Sequence, residues 1–250
     1  MDSICSPSDI NVNDVKVGVL KTLSNGGKMA FLSHKEKQMF IQTPEQYAPF
    51  GVNAYTNDDT GSTKYTLELS FRNMEDRESL QTFMKFLTDM DELVINTAFE
   101  NSQSWFKKKY SNKAVLEELY TSCLKPSRDK ETGELDNKYP TRVKVSLPHR
   151  DGSFKLEAYD KQQNEVDLNV VKTKGAKFVC ILQCGGVWVA GGKFGLSWKV
   201  IQLQVTPPSN ISGFSIKNVE GDKIEDGDDI DEATDNLNNT VLNDSDDEDV

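Results

Sequence analysis

The strongest hydrophobic pattern of the chain lies at 177–205, KFVCILQCGGVWVAGGKFGLSWKVIQLQV. Runs of β-branched and aromatic residues bounded by glycine pairs are typical of strands joined by tight turns. The pattern predicts strands at 178–183, 187–189 and 194–205, with turns at the two Gly-Gly pairs.

The last of these strands has two different faces by strict alternation. Ile201, Leu203 and Val205 share the face expected in the core, and the opposite face carries Trp198, Val200, Gln202 and Gln204. A mixed aromatic and amide face is typical of a barrel wall that binds bases on a phosphate backbone. The alternative is that Trp188 and Trp198 are both ordinary core residues.

Shorter alternating segments precede this stretch. They predict strands at 15–23, 28–32, 39–42, 50–56, 64–71, 142–147 and 154–159, and a weak strand at 166–171. Between them the period changes: apolar residues recur at steps of three and four over 75–101, which predicts one long amphipathic helix or two helices separated by a break. A second helix is expected at 112–123.

Many short strands interrupted by helices favour a mainly β fold. We therefore predict an elaborated OB-fold barrel at 15–217, with a helical insertion at about 75–122. In an OB-fold we expect the helix between the third and fourth strands. Residues 1–14 are expected to be a disordered N-terminus.

Charge divides the chain into two parts. The net charge is −11, yet 218–250 alone holds fourteen acidic residues and one lysine, or −13. The remaining 28 basic and 26 acidic residues give a slightly basic body of +2. The acidic segment cannot bury a core, so the sequence predicts a disordered tail.

The chain lacks the motifs of common enzymes. It has neither a phosphate loop nor a nucleophile elbow, and two histidines with four cysteines form no zinc pattern. We expect no enzymatic activity, no cofactor and no metal. Without a signal peptide or a transmembrane segment, we expect an intracellular protein with reduced thiols.

Basic and aromatic residues are interleaved in three places, as single-stranded nucleic acid requires. The candidate site residues are Trp105, Lys107, Lys108, Lys109, Tyr110, Arg142, Lys144, Trp188, Lys193, Phe194, Trp198 and Lys199. The aromatic residues are predicted to stack on bases and the cations to contact phosphates. Alternatively, Trp105 and Phe106 dock a helix on the barrel, and Arg142 and Lys144 lie on an ordinary solvated face.

The acidic tail is predicted to compete with nucleic acid for the basic groove and to recruit basic partners. Its candidate partner-binding residues are Asp244, Asp246, Asp247, Glu248, Asp249 and Val250. The simpler alternative is a tail that only keeps the protein soluble.

The segment AGGKFGLSWKVIQLQV resembles the closing strand of single-stranded-DNA-binding proteins of the phage T7 type and of their relatives in nucleocytoplasmic large DNA viruses. FGVNAYTNDDTGSTKYTLELSF is similar to the viral branch. The resemblance implies an OB-fold, single-stranded DNA as ligand, and an acidic tail that contacts replication proteins and competes with DNA.

The sequence thus predicts a viral protein that coats replication or recombination intermediates, with a DNA polymerase or a helicase–primase as partners and a possible homodimer. The expected compartment is a cytoplasmic viral factory or the nucleus. The rival interpretations are a viral structural protein and a transcription or processivity accessory factor, each acting through protein contacts of the tail. The same stacking surface would serve DNA or RNA.

Overall fold

The computed structural model describes residues 4–24, 26–58 and 61–208. Within those ranges the strands are β1 (Ile4–Cys5), β2 (Val15–Val17), β3 (Lys21–Thr22), β4 (Lys28–Ala30), β5 (Leu32–His34), β6 (Phe40–Gln42), β7 (Gln46–Ala48), β8 (Val52–Thr56), β9 (Thr63–Ser70), β10 (Leu124–Lys125), β11 (Arg142–Leu147), β12 (His149–Arg150), β13 (Ser153–Phe154), β14 (Glu157–Tyr159), β15 (Ala176–Ala190) and β16 (Lys193–Thr206).

The helical insertion predicted by the sequence is present. It consists of α1 (Glu78–Glu100), α2 (Ser102–Phe106) and α3 (Lys113–Leu119). The Asn112 side chain caps α3 by accepting a hydrogen bond from the backbone of Ala114. Among the described residues, no helix is both long and apolar enough to cross a membrane.

Five strands close into a barrel. β7 pairs with β9, β9 with β11, β11 with β16, β16 with β15, and β15 returns to β7. The β11–β16 pair is parallel and the others are antiparallel. The order and the single parallel pair correspond to an OB-like barrel, which confirms the predicted fold class.

Alternate residues of the barrel strands point inward and form the core with the buried face of α1. Phe83 of α1 lies 5.8 Å from Phe71, and Phe86 lies 6.0 Å from Trp198, measured between ring centroids. The insertion follows the second barrel strand, β9, and precedes the third, β11. Its position therefore differs from the predicted one between the third and fourth strands. The helix still packs on the core, because β9 ends and β11 begins at the same end of their antiparallel pair.

The predicted turn at Gly185 and Gly186 is instead an irregularity inside one long strand. β15 continues to Ala190, and its register with β16 shifts between Cys184 and Gly186. Gly186 has φ +108°, and a Cβ there would lie 2.7 Å from the Ala30 carbonyl oxygen. The glycine is needed for the close approach of β4, not for a chain reversal.

A second irregularity decides the position of Trp198. Ile181 pairs with Gln202 and Leu182 with Val200, so Ile201 is an extra residue in β16. One extra residue reverses the alternation, since the side-chain period of a strand is two. Trp198 and Val200 therefore point into the same core as Leu203 and Val205, contrary to the predicted faces.

Two further segments differ from the sequence-based expectations. Residues 4–14 form β1 and two 3-10 helices (Pro7–Asp9 and Val12–Asp14), because β1 pairs with β6 and Ile10 is buried. The weak strand expected at 166–171 is absent from that described segment, which makes turns there. The tail at 218–250 lies outside the described residues.

Candidate nucleic-acid interface

The outer wall of β8, β9, β11 and β16 presents one continuous set of polar side chains, which we call the barrel face. Its register is set by backbone pairing: Asn53 lies opposite Thr66, Thr66 opposite Ser146, and Ser146 opposite Lys199. Because side chains alternate along each strand, residues in register point to the same side of the sheet. The row therefore crosses all four strands on the solvent side.

Cations and an exposed aromatic ring flank this row. Tyr55 lies directly opposite Lys64, and the residue is 66% exposed. Lys144 is exposed two residues before Ser146 and lies opposite Glu68. The barrel face thus brings together the predicted residues Lys144 and Lys199 with two residues that sequence analysis did not select, Tyr55 and Lys64.

Arg142, predicted as a phosphate contact, already has a partner. Its Nε lies 2.8 Å from Oε2 of Glu68, and the two side chains are only 23% and 16% exposed. Its guanidinium carbon lies 5.2 Å from the centroid of the Phe50 ring. The charge of Arg142 is therefore neutralised within the protein, which corrects the prediction of an available cation.

Three of the predicted stacking rings are in the core. Trp105, Phe194 and Trp198 are 4%, 0% and 2% exposed. Phe194 lies 5.4 Å from Phe106 and 5.2 Å from Tyr120 between ring centroids. Because their faces contact other core side chains, these three rings cannot stack on bases, and the prediction is corrected. Trp105 and Phe106 instead pack on Phe194 and dock α2 on the start of β16, which was the alternative interpretation.

The cations that follow α2 remain on the surface. Lys107, Lys108 and Lys109 are exposed, and Lys107 ends the helix with φ +60°. Tyr110 is half-buried, with its ring 6.0 Å from Phe106 and 5.1 Å from the Lys108 Nζ. Their predicted role in binding nucleic acid stays a prediction.

Trp188 and Lys193 lie near the tip of the β15–β16 hairpin. Trp188 is half-buried and packs over Gly195, where a Cβ would lie 2.8 Å from its Cζ2. Lys193 is exposed beside the turn. Their predicted binding roles also stay predictions, and the tail residues 244–250 lie outside the described part of the chain.

A half-buried carboxylate connects α1 to the segment that follows α3. Asp91 of α1 accepts hydrogen bonds from the Tyr120 hydroxyl at 2.6 Å and the Ser122 hydroxyl at 2.5 Å. Burial raises the pKa of Asp91, although both hydrogen bonds oppose the shift. Burial also raises the pKa of Cys180 and Cys184 to about 12, so these thiols stay protonated and unreactive.

One signal could have revealed part of the barrel face. In the strand predicted at 64–71, alternation places Tyr65, Leu67 and Leu69 on one apolar face, so Lys64 and Thr66 lie on the opposite, outward face. Tyr55 could not be found in that way, because its position depends on the pairing of β8 with β9. Pairing between strands is a tertiary property that local alternation does not encode.

An OB-like barrel with helices inserted after its second strand thus defines the structural class. Residues 73–218, more than half of the chain, match the family described as "Family of unknown function (DUF5871)". The chain belongs to that family. No curated protein matches it in sequence.

The similar solved structures include phage single-stranded-DNA-binding proteins. Gp2.5, a single-stranded DNA binding protein encoded by bacteriophage T7, is 13% identical with a TM-score of 0.44, over 72% of this chain and 92% of that one. The single-stranded DNA-binding protein of bacteriophage Enc34, in complex with ssDNA, is 10% identical with a TM-score of 0.45, over 78% and 97%. Both sources are phages, so the expected link to large DNA viruses stays a prediction.

Proposed function

We propose that this protein binds single-stranded DNA across the barrel face, with little preference for sequence. The observation that supports the proposal is the juxtaposition of Tyr55, 66% exposed, with Lys64, in one outward-facing set with Lys144 and Lys199. In OB-folds the wall that contains the second and third strands is a common surface for oligonucleotides. Here these strands are β9 and β11.

The chemistry of the barrel face fits a flexible, unpaired strand. Ammonium groups contact successive phosphates without reading the bases, and a tyrosine ring stacks on any base. Thr66, Ser146 and Asn53 between the cations add neutral hydrogen-bonding groups to the row. Stacking contributes about 1–3 kcal/mol per base, whereas the lysines provide a contribution that weakens with salt.

In the cell, the protein would coat single-stranded intermediates of replication or recombination. The tail at 218–250 carries −13 beside a body of +2, and a tethered polyanion of this kind would compete with DNA for the lysines. The same acidic residues would recruit basic surfaces of replication proteins. No step in this role requires catalysis by the chain.

Fluorescence anisotropy of labelled oligo-dT, at several salt concentrations, tests the proposal. Replacing Lys64, Lys144 or Lys199 singly with Ala should weaken binding and reduce the magnitude of the slope of log K against log salt by about 0.7 per lost phosphate contact. The matched control is Lys85→Ala, because Lys85 lies on the exposed side of α1 and pairs with Asp89 at 2.7 Å. Equal slopes in all four variants would contradict the proposed face.

The tail hypothesis is tested in the full chain. Asp244, Asp246, Asp247 and Asp249 are replaced with Asn, and Glu248 with Gln. The neutralised tail should bind oligo-dT more tightly than the wild type at low salt, with the difference disappearing as salt rises. An unchanged affinity at low salt would reject competition by these residues. If neither protein bound oligo-dT, the structural or accessory role through protein contacts would be favoured instead.

A further inference from the structure

Phe50 is an exposed aromatic residue at the corner between β7 and β8. The residue is 48% exposed, although it lies beside the largely buried ion pair of Arg142 and Glu68. A single exposed apolar side chain is ordinary in itself. What distinguishes Phe50 is the number of contacts that fix its position.

The backbone at this corner is held from behind. Gly51 has φ +68°, and a Cβ there would lie 2.5 Å from the backbone nitrogen of Lys174. The next residue, Val52, donates its backbone N–H to the Thr173 hydroxyl at 3.1 Å. The corner is therefore packed tightly against residues 173–174, and any larger residue in place of Gly51 would displace the corner.

The side chain is held as well. The guanidinium carbon of Arg142 lies 5.2 Å from the Phe50 ring centroid, within the range of a cation–π contact. The guanidinium forms an ion pair with Glu68, with an Nε–Oε2 distance of 2.8 Å. Glu68 also lies opposite Lys144, so the ring stands at the margin of the barrel face.

We propose that Phe50 is a stacking platform for a nucleobase and that Arg142 and Glu68 are positioning residues for its ring. The inference rests on the proposed function. A ring that is already held by contacts loses less conformational entropy when a base stacks on it, so more of the stacking energy appears as affinity. The neutral ion pair explains how an arginine and a glutamate contribute on a cationic surface without contacting phosphate.

The test compares Phe50→Leu and Phe50→Trp by anisotropy with oligo-dT. Leucine keeps an apolar side chain but removes the π face, so binding should weaken roughly 5-fold or more, within the range of about 5- to 150-fold expected for loss of one stacked base. The salt slope should not change, because no phosphate contact is lost. Phe50→Trp should bind as tightly as the wild type. Oligo-dT should quench the tryptophan fluorescence of this variant more than that of the wild type.

The positioning role has a separate readout. Replacing Glu68 and Arg142 together with Gln removes the ion pair and preserves the net charge. Binding should weaken about 2- to 5-fold through loss of the cation–π contact, with an unchanged salt slope. In the Phe50→Leu background the same pair of substitutions should add no further loss. A slope reduced by about 0.7 would instead assign Arg142 to a phosphate and overturn its positioning role.

The outcomes separate this inference from the proposed function. If the wild type binds oligo-dT and Phe50→Leu binds it equally tightly, the stacking role of Phe50 is overturned and the proposed binding at the barrel face still stands. Absence of wild-type binding overturns both. Urea unfolding followed by circular dichroism verifies that each variant is folded, and a Phe50→Leu variant with native stability and weakened binding supports the platform.

Discussion

Replacing Trp198 with Ala distinguishes a core residue from a binding residue. Trp198 is 2% exposed, and its ring centroid lies 6.0 Å from that of Phe86 of α1. The substitution would therefore leave a large cavity where the helical insertion meets the barrel. Removal of a buried Trp or Phe side chain costs about 3–5 kcal/mol. Domains of this size are stable by roughly 5–15 kcal/mol, so the loss would be a large fraction of the total.

The indole nitrogen refines this magnitude. Trp198 Nε1 is buried and has no hydrogen-bond partner among the described residues. Trp198→Ala therefore breaks no hydrogen bond in that part of the chain, and the cost comes from packing alone. Trp198→Phe removes the unpartnered N–H and keeps most of the ring, so it should be much less destabilising than Ala.

Urea unfolding followed by far-UV circular dichroism measures the free energy of unfolding of both variants. Tyr55→Ala is the control, because a 66% exposed side chain should change the free energy of unfolding by less than about 0.5 kcal/mol. The result that would refute the reasoning is a Trp198→Ala variant with native stability. If that variant also bound oligo-dT weakly, the ring would have to be accessible to bases after all.

Two further predictions concern stability. Burial raises the pKa of Asp91, so the native state holds its proton to higher pH than the unfolded chain. The stability that the protonated carboxyl contributes is fully present below the unfolded pKa of about 4 and is lost as pH rises through the raised native pKa. Asp91→Asn should remove this dependence of stability on pH, as measured by urea midpoints from pH 4 to 8. Gly195→Ala should destabilise by about 1–3 kcal/mol in the same assay at neutral pH, because the new Cβ would lie 2.5 Å from the Thr121 carbonyl oxygen. A native midpoint for Gly195→Ala would contradict the tight packing at that position.

Local alternation predicted the strands that keep their register. β11 occupies the predicted span of 142–147, and β9 and α1 lie within a few residues of their predicted bounds. The predictions from alternation were wrong near Gly186 and Ile201, where the register between β15 and β16 shifts. Such irregularities depend on the neighbouring strand, so the sequence of one strand alone does not show them.

The same limit explains the candidate site. Lys144 and Lys199 could be selected because they lie outward on strands with clear alternation or beside aromatic residues. Selecting Tyr55 required knowledge of the pairing of β8 with β9, and selecting Phe50 required knowledge of its contact with Arg142. Both contacts join residues distant in sequence. Burial of Trp198 followed from an extra residue at Ile201, and a composition-based search for aromatic and basic residues could not detect it.

Backbone amide exchange of the full chain, with and without oligo-dT, tests the central claim most directly. The account predicts added protection in β8, β9, β11 and the middle of β16, around Asn53, Thr66, Ser146 and Lys199. Protection confined to residues 102–113, or no change anywhere in the barrel, would contradict binding at the barrel face.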